Sequence, residues 1–173
     1  MGYILYKRCY YGKAKINNDT NSAIDVFVHD RLTGITERVS ISSMGDQGNA
    51  DSHQPSISAD GRFVAFASWA RNLVISSTSG LNIFVHDRLN RQTVWVSFAW
   101  DGSMANGDSD SPVISADGRY VAFFSTSSNL VNPSRPYSQD VYVHDLWTRR
   151  TEIVSVSTEG NWGNSASSLG FGA

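Results

Sequence analysis

"FVHDRL" occupies residues 27–32, returns letter for letter at 84–89, and is followed by "YVHDLW" at 142–147. A His-Asp pair used three times is either a repeated catalytic or metal-binding device, or one structural unit copied three times. Spacing favours the second. His29 to His86 is 57 residues and His86 to His144 is 58. Side chains alternate along a strand, so a neighbouring His and Asp point to opposite faces and do not form a dyad.

The rest of the chain repeats with the same period, the signature of an architecture built from stacked units. "SADGR" at 58–62 returns at 115–119. Ser68, Asn72, Leu73 and Val74 are matched by Ser125, Asn129, Leu130 and Val131. Asn49 and Pro55 are matched by Asn106 and Pro112, and Gly45, Gly102 and Gly160 share one position.

Each copy reads as four short strands. "PSIS" or "PVIS" leads through an Asp-Gly turn into "RFVAFAS" or "RYVAFFS". Asp-Gly between apolar runs is a hairpin signal, because glycine takes the positive φ of a tight turn. A loop rich in Ser, Thr and Asn follows. The His-Asp strand comes next, and a second turn leads to "ITERVSI", "TVWVSFA" or "TEIVSVS". β-Branched and aromatic residues crowd these segments, and helical spacing is absent. The second strand is apolar at consecutive positions, as in Phe63-Val64-Ala65-Phe66. Such a run needs both faces covered, whereas a sandwich strand would alternate. The fold class is therefore all-β, with four-stranded antiparallel blades of a β-propeller.

The pattern "PxIS-ADGRxVAFxS", then "DIFVHDRxTG" and "xRVS", resembles the WD-like β-propeller repeat of TolB-like proteins. It covers two full copies and partial ones at each end. The resemblance implies a bacterial-type propeller, often extracytoplasmic (periplasmic or secreted), that commonly serves as a binding platform.

About three blades are present: a partial one at 2–42, full ones at 54–99 and 111–157, and at 158–173 the start of a further blade or a closing strand. Closed propellers have about 4–8 blades, so the ring is incomplete. "GYILY" (2–6) falls where the second strand of a blade belongs. The tail "GNSASSLGFGA" (163–173) matches the loop that leads into a next blade, although Gly170 replaces its proline. A fragment of a longer repeat protein accounts for this most simply. The alternative is a subunit whose tail completes its first blade, two copies forming a six-bladed ring. Both predict that the flanking blade faces expose apolar surface.

Hydrophobic residues make up 40% and charged residues 17%, as in a globular chain with a real core. The net charge of −2 hides an asymmetry: Lys7, Arg8, Lys13 and Lys15 crowd the start, and beyond them ten arginines face sixteen acids. Without a basic stripe to neutralise phosphates, nucleic-acid binding is set aside. Cys9 is the lone cysteine, which excludes an internal disulfide and a thiolate zinc site. No apolar run reaches the roughly 20 residues of a membrane span. At the start an apolar run precedes basic residues, the reverse of a secretion signal, so that the protein stays inside or the chain lacks its true beginning.

The best metal candidate is "DTNSAID" (19–25). Asp19, Asn21 and Asp25 offer oxygens at alternating positions, as calcium loops do. The equivalent loops keep Asn82 or Asp140 but lose the earlier acids, and the glycine and distal glutamate of an EF-hand are missing, so a solvated turn is the simpler reading. The histidines belong to different blades, on the third strand from the axis. Strands ~4.8 Å apart put each ~10 Å outside the innermost one, too dispersed to share a metal. The expectation is that His packs or hydrogen-bonds between blades, that Asp orders the following turn, and that Arg62 and Arg119 pair with nearby acids. No H-E-x-x-H, phosphate-binding glycine loop or G-x-S-x-G occurs. Among the tryptophans, Trp95 reads as core, Trp147 follows the third His-Asp pair, and Trp69, Trp100 and Trp162 fall at strand ends or loops.

These readings lead to a non-enzymatic scaffold or protein-binding platform with no cofactor, calcium aside, and a protein partner. Further blades of the same chain, or a second copy, are the other expected partners. The contacts fall in loops 43–54, 69–82, 100–111 and 126–139, since rigid scaffolds carry function on their loops. The alternatives are an accessory propeller of a larger hydrolase or peptidase, and a surface carbohydrate-binding module using the loop tryptophans.

Overall fold

The computed structural model describes residues 3–7, 19–75, 79–134 and 139–161. Among them are eleven strands and no helix. β1 (Tyr3–Lys7), β2 (Val26–Asp30) and β3 (Thr36–Arg38) form a three-stranded antiparallel sheet, blade 1. Blade 2 has β4 (Ser52–Ile57), β5 (Phe63–Ser68), β6 (Asn82–Asp87) and β7 (Gln92–Trp95), in that order across the sheet. Blade 3 repeats the meander with β8 (Ser109–Ile114), β9 (Tyr120–Ser125), β10 (Asp140–Asp145) and β11 (Arg150–Ile153). In the two full blades the strands lie side by side in chain order. In blade 1, Tyr3 pairs with Asp30 as Phe63 pairs with Asp87 in blade 2, so β1 stands in the second-strand position.

The tight turn between the first two strands of each full blade follows from its letters. In blade 2, Ser58 Oγ donates to Asp60 Oδ1 at 2.6 Å, the Arg62 N–H returns to the same oxygen, and Gly61 sits at φ 71°. Ser115, Asp117, Arg119 and Gly118 repeat this geometry. The first strands begin at Ser52 and Ser109, before the prolines that the pattern alone picks out. The chain passes Pro55 and Pro112 in a bulge, where the register to the second strand shifts. A bulge absorbs the residue that cannot donate a ladder hydrogen bond.

The bulges also tie the blades together. Gln54 and Ser111, both at φ 51°, sit in neighbouring bulges, and the Ser111 N–H donates to Gln54 Oε1 at 2.9 Å. Ile114 N–H donates to Ser56 Oγ at 3.0 Å, and Ala59 N–H to the Ala116 carbonyl.

Two apolar layers fill the spaces between blades. Val26, Val28 and Val39 of blade 1 pack on Val64, Phe66 and Phe84 of blade 2. Ala65, Ile83, Val85 and Val96 on the other face of blade 2 pack on Val121, Phe123 and Tyr142 of blade 3. The consecutive apolar residues of β5 and β6 are thus explained: both faces are covered, and nearly every residue is buried.

Among the described residues the two flanking faces differ. Phe27 on the outward face of blade 1 is 3% exposed and lies under the Arg38 guanidinium, 5.5 Å from its ring centre. The outward face of blade 3 is open, with Val113 51% and Val154 46% exposed.

Candidate functional site: a groove along the blade rims

The His-Asp copies resolve into two separate structural devices. His29, His86 and His144 each share a hydrogen bond through Nδ1 with a threonine seven residues on, Thr36, Thr93 and Thr151, at 2.8, 2.8 and 2.9 Å. In blade 2 the Thr93 hydroxyl donates onward to the Ile41 carbonyl of blade 1. Its proton is thereby committed, so His86 donates from Nδ1–H to Thr93 Oγ1. Burial pushes the His86 imidazole below its ordinary value, and it holds His144 at about 4, so both rings are neutral at pH 7. Phe98 of blade 2 meets the His144 ring edge-on at 5.4 Å, an inter-blade contact.

The aspartates do something else. Asp30, Asp87 and Asp145 accept from the N–H groups two and three residues on, which fixes the turn into the outer strand. Arg62 and Arg119 reach across to Asp87 and Asp145. Those hydrogen bonds hold both carboxyls below the usual carboxylate range.

Asp19, Asn21 and Asp25 do come together, around a guanidinium. Arg38 Nε lies 3.2 Å from Asp25 Oδ2 and Nη2 lies 3.1 Å from Asp19 Oδ1, while Asn21 Nδ2 donates to Asp25 Oδ2 at 3.0 Å. Ser40 Oγ donates to the other oxygen of Asp25, which is fully buried. Arg38 holds the register position of Trp95 and Ile153 in the other blades, and the Trp95 indole correspondingly donates to Asn82. Among the described residues no group of three His, Cys, Asp or Glu is gathered for a metal.

Within the named loops, asparagines a fixed 23 residues apart clasp each other. Asn49 N–H donates to Asn72 Oδ1, and Asn49 Oδ1 accepts from Arg71 N–H. Asn106, Asn129 and Ser128 repeat the exchange. Loop residues 76–78 and 135–138, with Trp162 and the tail after it, lie outside the described residues. Trp69 is exposed beside His53, their rings 4.7 Å apart, and Trp147 lies under the Arg119 guanidinium.

The clasped loops stand over the outer strands and leave two grooves. The first, about 700 Å³, runs between the turn at 42–46 and the loop at 72–75, with Gln92–Trp95 as its wall. The second, about 590 Å³, runs between 98–100 and 130–133, with 149–153 as its wall. Phe98 and Arg149 line both, so the two are neighbours. Met44 (82% exposed) and Ile75 (98%) stand on the lip of the first, and Trp100 borders the second. The loops expected to carry contacts supply Met44, Asn72, Ile75 and Trp100 to the grooves, whereas Phe98, Arg149 and the outer-strand wall lie outside those loops. The only sequence signal for them is repeat equivalence between the two walls.

No family model matches the chain, and no curated protein matches it. Solved structures do. A putative TolB from Agrobacterium tumefaciens is 17% identical over 78% of this chain and 42% of that one, with a TM-score of 0.50. The fold is that of an incomplete β-propeller. The tricorn protease is 14% identical over 80% of this chain, with a TM-score of 0.49. This chain therefore spans less than half of the TolB structure and 11% of the tricorn protease.

Proposed function

We propose that this is a non-enzymatic propeller module, of the WD-like repeat kind found in TolB-like proteins, that binds a protein partner along the neighbouring rim grooves. The observation that carries the reading is the group of exposed apolar side chains around these neighbouring grooves. Phe98 stands between a mainly apolar trough whose lip carries exposed Met44 and Ile75 and a more polar one bordered by exposed Trp100. Exposed apolar side chains concentrated on a concave surface mark interaction sites. The repeated histidines are committed to threonines and the aspartates to turns, which favours a structural use of these groups.

The test is selection of extended peptides from a random display library on the immobilised chain, followed by affinity measurement. Met44→Asp and Ile75→Arg change only exposed lip residues and leave folding intact. Each is expected to weaken the selected peptides at least about tenfold, the scale of one lost apolar contact. Selection of no peptide, or of peptides indifferent to both variants, would overturn the reading.

A further inference from the structure

The last strands of blades 2 and 3 differ in what meets their free edges. Val96 N–H donates to the Ile83 carbonyl, and Val154 N–H to the Val141 carbonyl. Ladder bonds alternate along an antiparallel pair, so the main-chain groups of Thr93 in β7, and of Thr151 and Ile153 in β11, point away from their sheets. In blade 2 a side chain closes this edge. Thr93 N–H donates to Ser43 Oγ at 2.9 Å, the same hydroxyl donates to the Thr93 carbonyl at 3.4 Å, and Thr93 is 5% exposed.

Blade 3 has Trp100 where blade 2 has Ser43. The turns that carry the two residues are alike. Ser42 N–H donates to the Asp46 carbonyl and Gly45 N–H to Ser42, as Ala99 N–H does to Ser103 and Gly102 N–H to Ala99. An indole offers no acceptor and cannot replace the hydroxyl. Among the described residues nothing bonds the outward main-chain groups of Thr151 and Ile153, and Trp100, 55% exposed, lines the same groove as they do. Every residue from Arg149 to Ile153 lines it, as befits an edge; a sheet face would show every second one. A following blade does not close such a groove: blade 3 stands beside the first one and adds Arg149 to its lining.

Unpaired N–H and C=O groups along an edge are a template for another strand. We propose that an extended segment of a partner protein adds to β11 as a fifth strand of blade 3, its backbone bonded to Thr151 and Ile153 and an apolar side chain set against Trp100. This rests on the reading of the grooves as a peptide site and adds how the peptide is held, by main-chain bonds with side chains choosing the sequence.

The test uses peptides selected on the immobilised full chain, remade with single N-methyl groups along the backbone. Alternate amides face β11, so methylation should weaken binding about tenfold or more at every second residue and little in between. Trp100→Ser restores the hydroxyl that closes the blade 2 edge, and should weaken the peptides more than Trp100→Ala at the same exposed position. Peptides that respond to Met44→Asp or Ile75→Arg, but show no two-residue rhythm on methylation or ignore both Trp100 variants, would overturn the strand addition and leave the groove reading standing. Selection of no peptide would overturn both. Self-association of the chain that Trp100→Ser abolishes would give the edge to a second copy, and would overturn the assignment to a partner protein.

Discussion

Arg62 grips Asp87 with both arms of its guanidinium, Nε to Oδ1 at 2.9 Å and Nη2 to Oδ2 at 2.7 Å. The contact joins the first turn of blade 2 to its last, 25 residues on. Blade 3 repeats it with Arg119 and Asp145. Asp87 also accepts from the N–H groups of Leu89 and Asn90, so one carboxylate serves the fork and the turn together. Asp87→Asn keeps an oxygen for the turn and loses the charged fork; Asp87→Ala loses both. Thermal melts should rank wild type above Asn above Ala, with steps of roughly 2–4 °C, the shift expected for about 1 kcal/mol in a chain of this size. Arg62→Lys should fall near Asp87→Asn, because an ammonium cannot fork.

Stability should fall on mild acidification, because of the buried histidines. Burial lowers the His144 pKa from 6.5 to about 4, and that of His86 also moves down. The unfolded chain therefore binds protons between these values that the folded chain refuses. A group whose folded pKa is depressed contributes stability that is whole above pH 6.5 and is lost as pH drops toward 4. For His144 the full loss is on the order of 3 kcal/mol. Asp87 and Asp145 are also depressed, but their contribution disappears only below the ordinary carboxylate range, near pH 4. Urea midpoints measured from pH 7 to 4.5 should decline, and His144→Gln should flatten the decline. A flat profile in the wild type would contradict the buried neutral imidazole.

How much of this was legible in the letters depends on how far apart the partners lie. The blades were legible because the Asp60-Gly61 turn and the His86 strand recur at a fixed period, and because β5 is apolar without alternation. Alternation alone also separated His29 from Asp30. The His–Thr bonds were present as a seven-residue spacing, which acquires meaning only when the two strands are known to pair as a hairpin. Asp19 and Asp25 lie together as the spacing suggests, but Asn21 turns its nitrogen to Asp25 and its oxygen to the Ala23 N–H. Their partner Arg38 sits on a different strand, and no local pattern announces it. The groove was the least legible feature, since its walls come from the outer turn of one blade and the outer strand of the next. Its lip loops carried a signal in the paired asparagines, and its walls only in their repeat equivalence.

Two glycines with the same φ separate backbone strain from crowding. Gly34 and Gly118 stand at +71° and +74°, but a Cβ on Gly34 would meet nothing within 4 Å, whereas one on Gly118 would lie 2.3 Å from Phe63 Cδ2 of the neighbouring blade. Gly34→Ala should cost about 1–2 kcal/mol, the left-handed penalty for a residue with a side chain. Gly118→Ala carries the same penalty plus about 1–3 kcal/mol for overpacking the blade 2–blade 3 contact. Denaturant midpoints for the pair measure the difference directly. Equal losses would mean that Phe63 moves aside freely.

Arg38 tests whether the loop at 19–25 needs a cation, and which one. Asp25 is fully buried with Ser40 and Asn21 on its oxygens, and Arg38 brings the compensating charge. Removing one partner of a buried pair leaves the other charge uncompensated, at about 3–5 kcal/mol. Arg38→Met should therefore destabilise the chain by about that amount in urea titrations. Adding Asp25→Asn should recover part of the loss, because it removes the stranded charge. Calcium should leave the melting temperature of the wild type unchanged, since the guanidinium already stands between the two carboxylates. In Arg38→Met the same oxygens face no cation from this side chain, and calcium should raise the melting temperature if they can act as ligands. A calcium-induced rise in the wild type would mean instead that the ion displaces Arg38, and the loop would then be a metal site that the arginine closes when empty.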